Sequence, residues 1–116
     1  MAGFIISFIF YSVFFWSTPV SAAEIFPNKS IKMLYINTCA ECHGRRGKGG
    51  GDGPSLRNND FVKKSDPEVI TDLIAKGVLK EKRRYPEKYE EGMPATKNVK
   101  EEDIRLLTDL IKSWSQ

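Results

Sequence analysis

Apolar residues in this 116-residue chain follow two different patterns. Near the N-terminus they are almost continuous, from Phe4 through Trp16, and Ala2 to Ala23 carry no charged side chain. Farther along they return at helical spacing, separated by polar and charged residues. Ile31, Leu34, Tyr35 and Thr38 stand at i, i+3, i+4 and i+7, which predicts a helix over Asn28 to Thr38. A second helix is predicted from Ser65. Ser65 and Glu68 have capping-box spacing, Pro67 falls in the first turn, and Val69, Ile70, Leu73 and Ile74 follow before Gly77 stops the helix. A third helix is predicted from near Asn98, with Glu101 completing a second capping box. Ile104, Leu107, Leu110, Ile111 and Trp114 form its buried stripe. No stretch alternates with the period of a strand, so the expected fold class is all-α.

The continuous, uncharged apolar run reads as an export segment ahead of that helical domain. It ends in Val20-Ser21-Ala22-Ala23, a small-residue tail suited to signal-peptidase cleavage, although its n-region lacks Lys and Arg. The expectation is a secretory signal over residues 1–23, with an uncleaved membrane anchor as the competing reading, since a spanning helix needs about 20 apolar residues. Either places the remaining domain, residues 24–116, outside the cytoplasm. A membrane is a partner only if the segment stays uncleaved. A domain of that size buries a thin core and commonly needs a staple such as a disulfide, a metal or a cofactor. The formal net charge of +3 is too mild to suggest a nucleic-acid binder.

Cys39-Ala40-Glu41-Cys42-His43 holds every cysteine and the only histidine of the chain. C-x-x-C-H reads as a site of covalent c-type haem attachment. Two thiols three residues apart can each add to one porphyrin vinyl group, and the adjoining His43 can then offer an imidazole nitrogen to the iron. A thioredoxin-like motif would need a βαβ context that is not visible here. A structural zinc site would need further Cys or His ligands that the chain lacks. A simple disulfide in an exported protein is the remaining competitor. With Cys39, Cys42 and His43 committed, the neutral candidates for a sixth iron ligand are Met33 and Met93, Met1 leaving with the signal. Met33 sits in the helix just ahead of the attachment site and reads as core packing. The glycine-rich stretch Gly44 to Pro54 is a loop, and it lacks the residue order of a phosphate cradle.

A helix running into C-x-x-C-H-G, a loop ending Gly53-Pro54-Ser55-Leu56, a short helix stopping at Gly77, Gly92-Met93-Pro94-Ala95 and a C-terminal amphipathic helix together resemble a class I c-type cytochrome. The likeness covers nearly all of the chain after the signal. It implies three or more short helices wrapped around one covalently attached haem c, with the first and last helices crossing. It implies Met93 as the second axial ligand beside His43, and the Pro54 carbonyl as the acceptor that orients the His43 ring. The chain departs from the family in two places. Ile31 stands where members often carry a glycine at the helix crossing, which predicts a wider or rotated contact. Residues 78–91 form an insertion with the charge pattern of a solvated loop, the competing reading being a basic, aromatic flap beside Met93.

The expected function is single-haem electron transfer in the periplasm without enzymatic activity, because an iron with two strong protein ligands leaves no open site for a substrate. The alternatives are a gas-binding or sensory haem protein with a labile Met93, and a membrane-anchored haem subunit of a larger oxidoreductase. Expected partners are redox proteins. Arg45, Arg46 and Lys48 after His43, and Lys80, Lys82, Arg83 and Arg84 before Met93, would form a basic rim for an acidic docking surface.

Overall fold

The computed structural model describes residues 29–116, and within them the chain is helical. The signal or anchor reading of residues 1–23, and the Asn28 start of the first helix, lie outside the described residues. Among those described, no helix is long and apolar enough to cross a membrane.

Helix α1 spans Lys29–Thr38 and is followed at once by the single turn α2, Ala40–His43. Ile31, Tyr35 and Cys39 succeed one another at four-residue steps along the buried side of this first unit. Ile31 is not a gap at the helix crossing. It is 5% exposed and part of the core that α1 shares with the C-terminal helix. A short helix, α3, spans Asp60–Lys64 and was not expected from apolar periodicity, being too short to show any. Asn59 starts it, its side-chain oxygen accepting from the Phe61 and Val62 amides.

Helix α4 spans Pro67–Lys76 and buries Ile70 and Ile74. Its cap is Asp66, which makes no side-chain capping bond, and Ser65 instead terminates α3. The expected Ser65–Glu68 capping box is therefore absent, because the chain spends Ser65 on turning between two helices. Helix α5 spans Glu101–Ser113 with Lys100 as its cap, so the Asn98–Glu101 box is absent as well. Asn98 takes up positive φ (59°) in the approach to the helix. Both helices carry acid in the first turn and lysine in the last, which suits the helix dipole. A 3₁₀ turn, Lys80–Lys82, interrupts the segment between α4 and α5.

Helix α5 is the hub. It packs most extensively on α4 and also on α1 and α3, with Leu107 fully buried and Ile104, Leu110 and Ile111 nearly so. Beyond its end, Trp114 meets Tyr35 edge-on at 4.8 Å between ring centroids. The same indole lies against Gly47, where a Cβ would come within 2.6 Å of it, and Gly47 has φ of +67°. Replacing Gly47 by alanine combines a left-handed backbone penalty of about 1–2 kcal/mol with a clash against a packed ring. Denaturant titration should therefore show Gly47→Ala destabilised by about 2 kcal/mol or more. Gly51→Ala, with nothing within 4 Å of its Cβ, should stay within about 0.5 kcal/mol of the original.

Candidate haem site

The turn α2 places Cys39, Cys42 and His43 along one wall of an open cleft. The two cysteines are not joined to each other, Cys39 being buried and Cys42 partly so. Burial is the main cause that pushes both thiols above their ordinary pKa. The Thr38 hydroxyl, 3.3 Å from the Cys39 sulfur, pulls that thiol the other way, whereas Asp52 and Glu41 push Cys42 farther up. About 1210 Å³ of empty space, open solvent at the mouth included, lies in the cleft. Leu56, Phe61, Val62, Ile74 and Ile111 make its walls largely apolar. Two thiols, an imidazole and apolar walls around one slot are a donor set and a shape that fit a flat porphyrin.

His43 is 8% exposed, and its Nδ1 lies 2.8 Å from the Pro54 carbonyl oxygen. A carbonyl only accepts, so Nδ1 donates this bond, and in the neutral imidazole the lone pair then lies on Nε2. Pro54 is held in place by the loop after α2. Gly49 donates to the His43 carbonyl at 2.7 Å and Leu56 to the Gly47 carbonyl at 2.8 Å. The C-terminus then fastens this loop: Ser115 donates to the Leu56 carbonyl at 2.6 Å and accepts from the Asn59 amide, while Asn58 donates to the Trp114 carbonyl. Tyr35 holds the other end, donating to the Gly44 carbonyl at 2.8 Å. Sequence reading assigned Tyr35 and Trp114 only to helix stripes and missed Ser115 altogether, because a serine at a chain end carries no pattern.

Met93 lines the same cleft and is partly buried against the core. Its backbone pairs with Val78 through two hydrogen bonds, Val78 N–H to Met93 C=O at 2.7 Å and Met93 N–H to Val78 C=O at 2.9 Å. Gly77, which ends α4 at φ +73°, makes this approach possible: a Cβ there would fall 2.4 Å from the Met93 carbonyl oxygen. Met33 does not join the site and is not core packing either. It is 47% exposed, since α1 turns Ile31 and Tyr35 inward and thereby Met33 outward.

The 78–91 segment is more than a solvated loop, because Lys82, Arg83, Arg84, Tyr85, Tyr89 and Glu91 all border the cleft. It is also less basic outwardly than its sequence suggests. Arg83 donates to the carbonyls of Tyr89 and Lys80, Lys80 pairs with Glu91 at 3.1 Å, and Arg84 lies over the Phe61 ring.

The protein-family model described as cytochrome c oxidase, cbb3-type, subunit III matches residues 27–111. The chain belongs to that family. It is a small c-type cytochrome with covalently bound haem c, and its solved relatives share the fold. The c-type cytochrome XoxG from Methylobacterium extorquens AM1 aligns at 25% identity and TM-score 0.57 over 78% of this cytochrome and 51% of that chain. This cytochrome thus spans about half the length of XoxG. The KustC0563 c-type cytochrome aligns at 19% identity and TM-score 0.52, covering 73% of this chain and 96% of that one. The c-type cytochrome NirC aligns at 21% identity and TM-score 0.50, covering 72% and 86%. A comparison with curated proteins finds no match.

Burial pushes the Tyr35 hydroxyl well above its ordinary pKa of 10.0. The native cytochrome thus keeps Tyr35 protonated at pH values where the unfolded chain releases the proton. The stabilisation is complete below the unfolded value and is lost progressively as pH rises through and beyond it. Tyr35→Phe should be less stable than the original near neutral pH by about 1 kcal/mol, the worth of a hydrogen bond. It should also lose a smaller share of its stability on passing above pH 10, which alkaline denaturation curves will read.

Proposed function

We propose that this cytochrome is an extracytoplasmic one-electron carrier, with Cys39 and Cys42 as the thioether residues and His43 and Met93 as the axial pair. The observation that carries this reading is the 2.8 Å hydrogen bond from His43 Nδ1 to the Pro54 carbonyl. It fixes the tautomer that leaves Nε2 as a donor to iron and raises the basicity of the ring. When bound, haem supplies a reversible one-electron iron couple, and a His/Met pair raises its potential. The chain contributes the rest. Cys39 and Cys42 would hold the porphyrin beside α2, the apolar walls would exclude water from it, and the Val78 pairing fixes the backbone of Met93. With both axial positions filled by side chains, no place remains for a substrate, so a carrier is favoured over an enzyme. A periplasmic location follows from covalent haem c and from the signal-like residues 1–23.

A second reading is supported by the family description itself, which names an oxidase subunit. In it the same domain serves as a haem subunit of a larger oxidoreductase. Fractionation separates the two: a carrier is recovered in the soluble periplasmic extract, and a subunit remains with the membranes through high-salt washing.

The axial assignment is tested by spectroscopy. The ferrous protein should be low-spin and should not bind carbon monoxide at once, while Met93→Ala should become high-spin and bind it readily. If Met93→Ala keeps the original spin state and potential, another residue is the ligand. Rapid carbon monoxide binding by the unaltered protein would favour the gas-binding alternative.

Steering is tested with ferricyanide as a small anionic oxidant. Arg45, Arg46 and Lys48 are exposed directly after His43. Oxidation of the ferrous protein should slow as ionic strength rises to the physiological range, where screening acts over about 8 Å. Changing Arg45 and Arg46 together to glutamate should slow it at low salt and flatten the dependence. A rate in the unaltered protein that ignores salt would mean that the neighbouring acids cancel these cations.

A further inference from the structure

Arg83 and Arg84 are neighbours in the chain, yet their guanidinium groups are committed differently. Arg83 spends its Nε on the Tyr89 carbonyl at 2.7 Å and a terminal nitrogen on the Lys80 carbonyl, so it closes the turn of its own loop. Arg84 has no hydrogen bond or ion pair among the described residues. Its guanidinium carbon instead lies 3.6 Å from the centroid of the Phe61 ring. Phe61 belongs to α3 and Arg84 to the segment ahead of Met93, and both border the cleft. The contact therefore joins the inserted loop to α3.

A guanidinium laid on an aromatic ring is held by the ring's negative face while its in-plane N–H groups stay free. Those donors form a rigid fork that matches a carboxylate with two parallel hydrogen bonds. Arg84 is thus a receptor for a carboxylate, pre-set at the border of a largely apolar cleft. Haem brings two carboxylates, both on the half of the porphyrin that lies away from its vinyl groups. Attachment of the vinyl half at Cys39 and Cys42 sends the carboxylate half toward other parts of the cleft.

We propose that Arg84, held over the Phe61 ring, binds a haem propionate and is the carboxylate anchor of this cleft. The assignment rests on the haem reading above and adds a residue that the family motifs do not contain. Apart from His43 and the two cysteines, the other charged or titratable groups bordering the cleft are Asp52, Lys82, Arg83, Tyr85, Tyr89 and Glu91. Asp52 and Glu91 repel a carboxylate, Arg83 has already used donors, and Lys82 is a hydrated point charge with no ring beneath it. The anchor would also tie the loop to the cofactor, because the cation that rests on Phe61 of α3 would meet the propionate as well.

The test is the reduction potential of the holoprotein as a function of pH, for the original, Arg84→Gln, Arg84→Lys and Phe61→Leu. Retained absorbance after acid–acetone extraction and an unchanged low-spin spectrum establish that each variant is loaded and folded. Loss of a cation beside a propionate disfavours ferrous iron, so Arg84→Gln should have a lower potential at neutral pH. The pH inflection due to the propionate should move up by about one unit or more, since an adjacent opposite charge depresses a carboxyl by roughly 1–3 units. Arg84→Lys should lie between these two. Phe61→Leu, which keeps the cation and removes its support, should move the inflection in the same direction by less. A potential and an inflection unchanged in Arg84→Gln would overturn the proposal. So would an unchanged potential with slower electron transfer to an acidic protein alone, which would assign Arg84 to docking. Absence of covalent haem from the original protein would remove this proposal and the reading beneath it, and it is visible before any variant is made.

Discussion

The hydrogen bond between His43 Nδ1 and the Pro54 carbonyl is the constraint around which the structure is arranged. An imidazole can present only one nitrogen to a metal, and the orientation of that nitrogen depends on what holds the other. The carbonyl that does so belongs to an irregular loop, a poor platform unless something else fixes it. Here the C-terminal end of α5 performs that task. Trp114 fills the space that the glycine at 47 leaves open, and Ser115 and the Trp114 carbonyl bind the backbone of residues 56, 58 and 59. Tyr35 reaches from α1 to the residue after His43. Core and site are therefore one network: disturbing the α1–α5 contact displaces the loop, and with it the acceptor that orients the histidine.

The Met93 side of the cleft is built on another principle. Its one regular tie is the reciprocal pairing with Val78, made possible by the glycine that ends α4. The rest of the 79–91 segment mostly satisfies itself, through Arg83 to its own carbonyls, Lys80 with Glu91, and Tyr85 beside Tyr89. Exposed ion pairs of this kind contribute little, about 0–1 kcal/mol each. The two walls thus differ in how they are held, the histidine wall by buried packing and the methionine wall by a short backbone bridge and a largely self-contained loop. Few buried apolar contacts and many exposed hydrogen bonds mark a segment of low local stability. In a c-type cytochrome that difference places any opening of the cleft on the methionine side.

The sequence by itself determined the grouping of two thiols and an imidazole in C-x-x-C-H and the positions of the long helices. Both rest on local rules: C-x-x-C-H needs only chain neighbours, and the buried stripes of α1, α4 and α5 follow the 3.6-residue period. Gly77 could be read as a helix end for the same reason, since the positive φ there is a local demand. The capping boxes at Ser65 and Asn98 were local signals as well, yet tertiary demands overrode both, by giving Ser65 to the end of α3 and turning Asn98 to positive φ. What only the tertiary structure decided were relations between residues far apart in the chain. The contact of Trp114 with Gly47, the fastening of Leu56 by Ser115, the pairing of Met93 with Val78 and the seating of Arg84 on Phe61 leave no periodic trace. Each joins single residues through packing that exists only once the helices have assembled, and periodicity in a sequence reports the face an element buries, never the residue that comes to meet it.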